Sequence, residues 1–213
     1  MAAAGGGRVK ILLVEDHAIV RAGLRRLLAA LPADIAECAS GKEAMALLRG
    51  PAPDVVILDL NLPGIGGLEL LRRLLAESPA LRVLVLTMHA EPLYAARALD
   101  AGAKGFVSKN ATPDELLTAV RRIARGGRYV EAEIAQELAV QPIAVGDPLA
   151  SLSERDLEIL RLLAQGSSLA EIAAGLAISY KTVANTCTQI KTKLGVARAA
   201  DLVRVAIRLG LTA

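Results

Sequence analysis

Residues 55–64 read Val55-Val56-Ile57-Leu58-Asp59-Leu60-Asn61-Leu62-Pro63-Gly64: four apolar residues, one carboxylate, then a turn. A short apolar run rich in β-branched residues reads as a strand buried on both faces. The aspartate behind it falls at the strand's C-terminal end, where open parallel sheets carry their ligands. The pattern recurs on both sides. Val9 to Val14 runs into Glu15 and Asp16, Val83 to Leu86 into Thr87, and Gly105 to Ser108 into Lys109. A weaker strand lies near 34–38. Helical spacing fills 18–31, 41–49, 66–77, 92–101 and 112–125. Five strands alternating with five helices predict an α/β fold, a five-stranded parallel, doubly wound sheet over residues 8–125.

That topology brings Glu15, Asp16 and Asp59, the Thr87 hydroxyl and the Lys109 ammonium to one edge of the sheet. Three carboxylates repel one another, which favours a hard divalent cation such as Mg2+. The backbone carbonyl of Asn61 is expected to complete the metal shell, turned inward by a tight loop over Asn61 to Gly64. The constellation suits phosphoryl transfer to a carboxylate. Asp59 is the nucleophile, Mg2+ and Lys109 neutralise the incoming phosphoryl oxygens, and Thr87 hydrogen-bonds one of them. Any one of these residues alone is a cap or a solvated side chain. Their joint occurrence in order at four strand ends is not so easily dismissed.

Gly126-Gly127, Pro142, Gly146 and Pro148 then break regular structure, so residues 126–150 read as a linker, interrupted by a short helix around 131–140. Residues 151–213 contain no convincing strand. Helical patterns over 153–164, 168–174, 179–194 and 198–209 predict an all-α bundle. In the third helix, capped by Ser179, the 3.6-residue period puts Val183, Cys187, Ile190 and Leu194 on one face. The other carries Lys181, Asn185, Thr188, Gln189 and Thr192. Amides and hydroxyls on an exposed helix suit base edges, and lysines suit phosphates. From Lys181 to Arg208 there are six basic residues against one acidic, Asp201. Cys187, on the packed face, reads as an inert small hydrophobe.

Residues 8–125 resemble the receiver domain of bacterial response regulators. The matching stretches are Val14-Glu15-Asp16-His17, Asp59 to Gly64, Leu86-Thr87-Met88-His89 and Gly102 to Lys109. Residues 151–213 resemble the LuxR-type helix-turn-helix domain through Leu152-Ser153-Glu154-Arg155-Asp156, Glu171-Ile172-Ala173, Lys181-Thr182-Val183 and Lys193-Leu194-Gly195-Val196. Together they point to the NarL/FixJ subfamily. The resemblance implies a sensor histidine kinase as phosphodonor to Asp59 and double-stranded promoter DNA as target. It implies contacts from Lys181, Thr182, Asn185, Thr188, Gln189 and Lys191, and a homodimer in the active form. It also implies a switch in which an aromatic, here Phe106, rotates inward as Thr87 moves toward the phosphoryl group. His17 and His89 are plain loop residues in this reading. The chain departs from the family at Glu15, where Asp is common, and at Met88, where a small residue is common. Phe106 replaces the usual Tyr and lacks its hydroxyl. Ala184 and Thr186 stand where a basic residue and His are frequent, which bears on DNA affinity and base preference.

Charge is distributed in keeping with this division. Residues 1–125 carry 16 Lys/Arg against 13 Asp/Glu, residues 126–150 one against four, and residues 151–213 eight against five, so the net +3 averages unlike regions. Two distant cysteines, Cys38 and Cys187, exclude a disulfide framework or zinc-ligand spacing. The four aromatic residues, Tyr94, Phe106, Tyr129 and Tyr180, provide no stacking platform for single strands. No apolar run escapes charge long enough to span a bilayer, and the start lacks the apolar stretch of a secretory signal, so a cytoplasmic protein without a membrane role is expected. The expected function is phosphorylation-dependent transcriptional regulation, not enzymatic turnover. The alternative within the same class binds DNA independently of phosphorylation, with a receiver-like dimerisation domain. A phosphatase using Asp59 as covalent nucleophile fits less well, because Asn61 occupies the place where such enzymes usually carry a second acid. A non-DNA interaction module is the remaining rival.

Overall fold

The computed structural model describes residues 8–63, 65–88, 91–140, 152–208 and 211. They form two compact units, one holding the sheet and one the four C-terminal helices. In the first, β1 (Val9–Val14), β2 (Ala33–Cys38), β3 (Val55–Leu58), β4 (Val83–Thr87) and β5 (Gly105–Ser108) alternate with α1 (Ala18–Leu28), α2 (Gly41–Leu47), α3 (Gly67–Glu77), α4 (Pro92–Asp100) and α5 (Pro113–Ala124). The expected parallel α/β sheet is therefore present, with one correction. It has six strands, ordered β2-β1-β3-β4-β5-β6, because β6 (Tyr129–Val130) pairs with β5.

The sixth strand was hidden for physical reasons. Two residues are too few for a periodicity to register. Its connection also runs against expectation. Ile11, Leu13, Ile57, Leu84, Leu86 and Val107 form one face of the sheet, packed on both α1 and α5. With α5 on the face of α1, the passage from β5 to β6 has the opposite hand to a right-handed crossover continuing in the direction β3-β4-β5. Gly105 permits the close pairing, since a Cβ there would stand 2.7 Å from the Tyr129 carbonyl oxygen and 2.6 Å from Ile123 Cδ1. The helix α6 (Ala132–Val140) follows, where the sequence suggested a short helix within a linker. Residues 141–150 of that linker, with Gly64 and His89, lie outside the described residues.

The strands are buried on both faces, with Leu12, Val14, Val56 and Leu58 at 2% exposure or less. Strand alternation puts them opposite the α1/α5 face. The start of α3 presses on the turn after Asp59. The Gly67 N–H donates to the Leu60 carbonyl at 3.1 Å. A Cβ at Gly67 would come 2.4 Å from Leu60 Cα and 2.8 Å from the Asp59 carbonyl oxygen. Helix α5 starts on a capping box between Thr112 and Glu115, with Pro113 in its first turn.

The second unit contains α7 (Glu154–Ala164), α8 (Leu169–Gly175), α9 (Tyr180–Leu194) and α10 (Ala199–Arg208). Capping boxes start α7 (Ser153 with Asp156) and α8 (Ser168 with Glu171). Ser179 caps α9, and Gly195 ends it in the left-handed conformation at φ 65°. Leu157, Leu160, Ile172, Val183, Ile190 and Leu202 form the core, each at 1% exposure or less. The turn between α8 and α9 is tight enough to hold Ala177 at φ 51°. Among the described residues no helix is long and apolar enough to cross a membrane.

Two substitutions test these backbone constraints in urea unfolding. Gly67→Ala is expected to cost about 1–3 kcal/mol, because the contact is with backbone that cannot yield cheaply. Ala177→Gly is expected to raise stability by about 0.5–1 kcal/mol through relief of the left-handed conformation.

Candidate functional site

Parallel pairing sets the carboxyl ends of the central strands side by side, and the ladder continues one residue beyond them. The Glu15 N–H donates to the Cys38 carbonyl at 3.1 Å, Asp59 N–H to Val14 at 3.0 Å, and Lys109 N–H to Thr87 at 2.8 Å. The side chains of Glu15, Asp59 and Lys109 thus leave a single edge. Lys109 Nζ lies 2.7 Å from Asp59 Oδ2 and 2.7 Å from Glu15 Oε2. Both carboxylates are buried, at 1% side-chain exposure, and Lys109 shows 11%. Burial works against the lysine's charge. The hydrogen bonds and charges of Asp59 and Glu15 outweigh it and hold the ammonium's pKa above the usual lysine range.

The acidic loop is tied from several sides. Arg21 Nη1 donates to the carbonyls of Glu15 at 2.7 Å and Asp16 at 3.2 Å, fixing the loop to the first turn of α1. The His17 N–H donates to Glu15 Oε1 at 3.2 Å, and its Nδ1 stands 3.0 Å from Asp16 Oδ1. The Asn61 N–H donates to Asp59 Oδ1 at 3.2 Å. Sequence reasoning passed over Arg21 and treated His17 as a plain loop residue. The only signal was proximity, two and six residues after Glu15.

Glu15, Asp16, His17 and Asp59 each offer a ligand atom, all within 4.8 Å of one another. Glu15 Oε2 is buried with Lys109 Nζ at 2.7 Å, and Asp16 Oδ1 is buried beside His17 Nδ1 at 3.0 Å with no hydrogen bond among the described residues. Buried carboxylate oxygens with spare lone pairs are the donor set that a hard divalent cation takes. The acidic residues therefore fit the Mg2+ that the sequence suggested.

Thr87 is fully buried at the end of β4, and Phe106 fully buried in β5. Their registers, Thr87 with Ser108 and Val85 with Phe106, put them on one face of neighbouring strands, away from α1 and α5. The end of β5 is also held from the other side. The Ser108 N–H donates to Glu131 Oε2 at 2.8 Å, a contact to a residue that the sequence left in the linker.

In the second unit, α9 buries Val183, Cys187 and Ile190 as its period requires. Burial pushes the Cys187 thiol up, and the charge of Lys191 offsets this in part. Lys181, Thr182, Asn185, Thr188 and Gln189 are exposed and Lys191 half-buried. The hydroxyls are already engaged: Thr188 Oγ1 donates to the Ala184 carbonyl at 3.1 Å, and Thr182 Oγ1 lies 2.8 Å from Ser179 Oγ. A feature that sequence missed fixes the helix. Lys193 Nζ is 2.6 Å from Oδ2 of Asp156, a residue 3% exposed that also caps α7.

Comparison with known proteins agrees with both units. The response regulator receiver domain family matches residues 11–121, and the bacterial regulatory proteins of the luxR family match residues 150–206. Response regulator UvrY of Escherichia coli strain K12 is 38% identical over 208 residues, 95% of each chain. Transcriptional activator protein ExaE of Pseudomonas putida is 44% identical over 209 residues, 94% of this chain and 97% of its own. Among solved structures, RcsB from Salmonella enterica serovar Typhimurium, bound to promoter rprA in the presence of the phosphomimetic BeF3-, aligns with a TM-score of 0.63 and 27% identity, over 93% of this chain and 98% of that one.

Lys109→Met leaves Glu15 and Asp59 as buried charges with no cation between them. The expected loss is about 3–5 kcal/mol. Because a divalent cation binds only the folded site, added Mg2+ is expected to raise the melting temperature more in the variant than in the unaltered chain. Calorimetry with and without Mg2+ measures both, and an unchanged melting temperature in Lys109→Met would remove the lysine from the charge balance.

Proposed function

The chain belongs to the two-component response regulators of the NarL/FixJ family, with a receiver domain and a LuxR-type DNA-binding domain, and on that premise we propose that phosphorylation of Asp59 by a sensor histidine kinase controls its binding to promoter DNA. The observation that carries the reading is the bridge from Lys109 to both Asp59 and Glu15, at 2.7 Å each, on the carboxyl edge of the sheet.

A carboxylate oxygen of Asp59 attacks the phosphorus carried by the donor histidine. The new bond is an acyl phosphate, and the P–N bond breaks with its electron pair returning to the imidazole. Lys109 keeps its proton and pairs with the phosphoryl oxygens. The Asn61 N–H, now on Asp59 Oδ1, holds the carboxylate in orientation for attack. The Thr87 hydroxyl donates to a phosphoryl oxygen, which draws the end of β4 toward Asp59. Phe106, on the same face of the sheet, fills the space that Thr87 vacates. Mg2+, held by Glu15, Asp16, Asp59 and the backbone carbonyl of Asn61, supplies further neutralisation of the transferring group when bound.

In the second domain, Asn185 and Gln189 make no side-chain hydrogen bond among the described residues, so they offer free amides to base edges in the major groove. Lys181 and Lys191 meet phosphates, and Thr182 and Thr188 line the same face. The similarity to RcsB, whose structure was solved on promoter DNA with a phosphomimetic, supports both halves of the reading. Phosphorylation shifts a pre-existing equilibrium toward a DNA-competent homodimer. The protein works in the cytoplasm as a regulator, without turnover of a substrate.

Acetyl phosphate with Mg2+ is expected to add one phosphoryl group to the wild-type chain and none to Asp59→Asn, read by intact mass. Anisotropy on duplex promoter DNA should then show roughly a tenfold gain in affinity for the wild type alone. Equal affinity with and without phosphorylation, matched by Asp59→Asn, would sink the switch. A second measurement separates two lysines of α9. Lys181→Gln should flatten the dependence of log affinity on log salt by about one unit, as loss of a phosphate contact does. Lys193→Gln should lower thermal stability and leave that slope unchanged, since its ammonium is held by Asp156.

A further inference from the structure

Parallel strands present alternate backbone groups to each neighbour. On the β6 side, β5 exposes the Lys104 carbonyl, the Phe106 carbonyl and the Ser108 N–H. The first accepts from the Tyr129 N–H at 3.0 Å and the second from the Glu131 N–H at 3.2 Å. There the partner strand ends, because the chain turns into α6 at Ala132. The Ser108 N–H would be orphaned at an edge where its residue is only 4% exposed. Instead the Glu131 carboxylate folds back and accepts it at 2.8 Å, a side chain standing in for the missing rung. The Glu131 carbonyl meanwhile accepts the Ala135 N–H at 2.9 Å and opens the helical ladder of α6. One residue therefore finishes the ladder of β5 and starts the next helix.

Ser108 directly precedes Lys109. The Lys109 N–H is bonded to the Thr87 carbonyl at 2.8 Å, and the Asn110 N–H to Ser108 Oγ at 3.0 Å. The backbone that carries the bridging ammonium is thus clamped by β4 on one side and by Glu131 on the other. We propose that Glu131 is a positioning residue: it holds the end of β5 so that Lys109 stands over Asp59, and it couples that strand end to α6. This role rests on Asp59 being the phosphoacceptor. A carboxylate bonded to a backbone N–H is among the stronger hydrogen bonds, and leaving a buried N–H unpaired adds its desolvation cost. Gln retains an acceptor at the same reach, whereas Ala removes it.

The test uses the full chain, wild type, Glu131→Ala and Glu131→Gln, each checked for folding by its amide spectrum. The first readout is hydrogen exchange at the Ser108 amide without phosphodonor. Protection is expected in the wild type and in Gln, and loss of at least tenfold in Ala. The second is phosphorylation by acetyl phosphate with Mg2+ over a range of donor concentrations. The maximal rate is expected to fall roughly tenfold in Ala, with recovery to within about threefold in Gln. The third is exchange across 132–140 before and after phosphorylation, expected to change in the wild type and Gln and not in Ala. A folded Ala variant with the wild-type maximal rate overturns the positioning role, as does a Gln variant no better than Ala. If Ala fails to fold, Gln decides: normal Ser108 protection with a slow maximal rate overturns the role, and a wild-type-like maximal rate supports it. A wild-type chain that takes no phosphoryl group overturns the acceptor reading and this role together, while intact Ser108 protection there would still establish the contact.

Discussion

A single ammonium between two buried carboxylates governs the receiver unit. Glu15 and Asp59 follow different strands, and each is held at 1% side-chain exposure where an unpaired charge is costly. Lys109 makes both tolerable, but only if the ends of β1, β3 and β5 stay level to within a hydrogen bond. Much of the local architecture serves that levelling. The ladders run on past the strands to Glu15, Asp59 and Lys109. Gly67 lets α3 press against the Asp59–Leu60 backbone at a distance no side chain would allow. Arg21 ties the acidic loop to α1. A buried ion pair is weak evidence for stability, and this one is better understood as a reservoir of unmet charge. The lysine satisfies one oxygen of each carboxylate, while neighbouring Asp16 keeps a buried oxygen without a hydrogen bond among the described residues. Such a site is poised for any ligand that rearranges charge within it, and a dianionic phosphoryl group is such a ligand.

The sheet and the acidic edge were legible because both are written in short-range pattern. Four apolar runs followed by Glu15-Asp16, Asp59, Thr87 and Lys109 are local signals, and parallel topology brings them together without further information. Side-chain contacts between distant segments were not legible. Nothing near Glu131 in sequence points to Ser108, and nothing near Asp156 points to Lys193, 37 residues away. Both acids also have local alternatives, a linker position and a helix cap, that satisfy a sequence reading completely. The sixth strand failed for a different reason. Its two residues fall below the length at which alternation can be seen, and its crossover has the hand that topology rules discount. Gly105 was the one trace of it, a glycine inside a strand where another backbone comes close.

The recognition helix shows how structure sharpens what its sequence leaves broad. By pattern alone, every polar residue on the exposed face of α9 is an equal candidate for base reading. The hydrogen bonds divide them. Thr188 donates its proton to the Ala184 carbonyl, and Thr186 and Thr192 do likewise to Thr182 and Thr188. A threonine so bonded keeps only its acceptor lone pairs and its methyl group. Asn185 and Gln189, four residues apart on the same face, keep a donor and an acceptor each, which is the requirement for bidentate reading of adenine. Lys193 stays exposed but is paired with Asp156 at 2.6 Å, which leaves Lys181 and Lys191, toward the two ends of the helix, as its lysines without an ion pair among the described residues. On the proposed reading, two amides in the middle of the helix serve discrimination and two flanking lysines affinity. Asp156, which caps α7 and pairs with Lys193, ties the last turn of α9 to the start of α7, so on that reading a buried acid on another helix helps to set how α9 is presented.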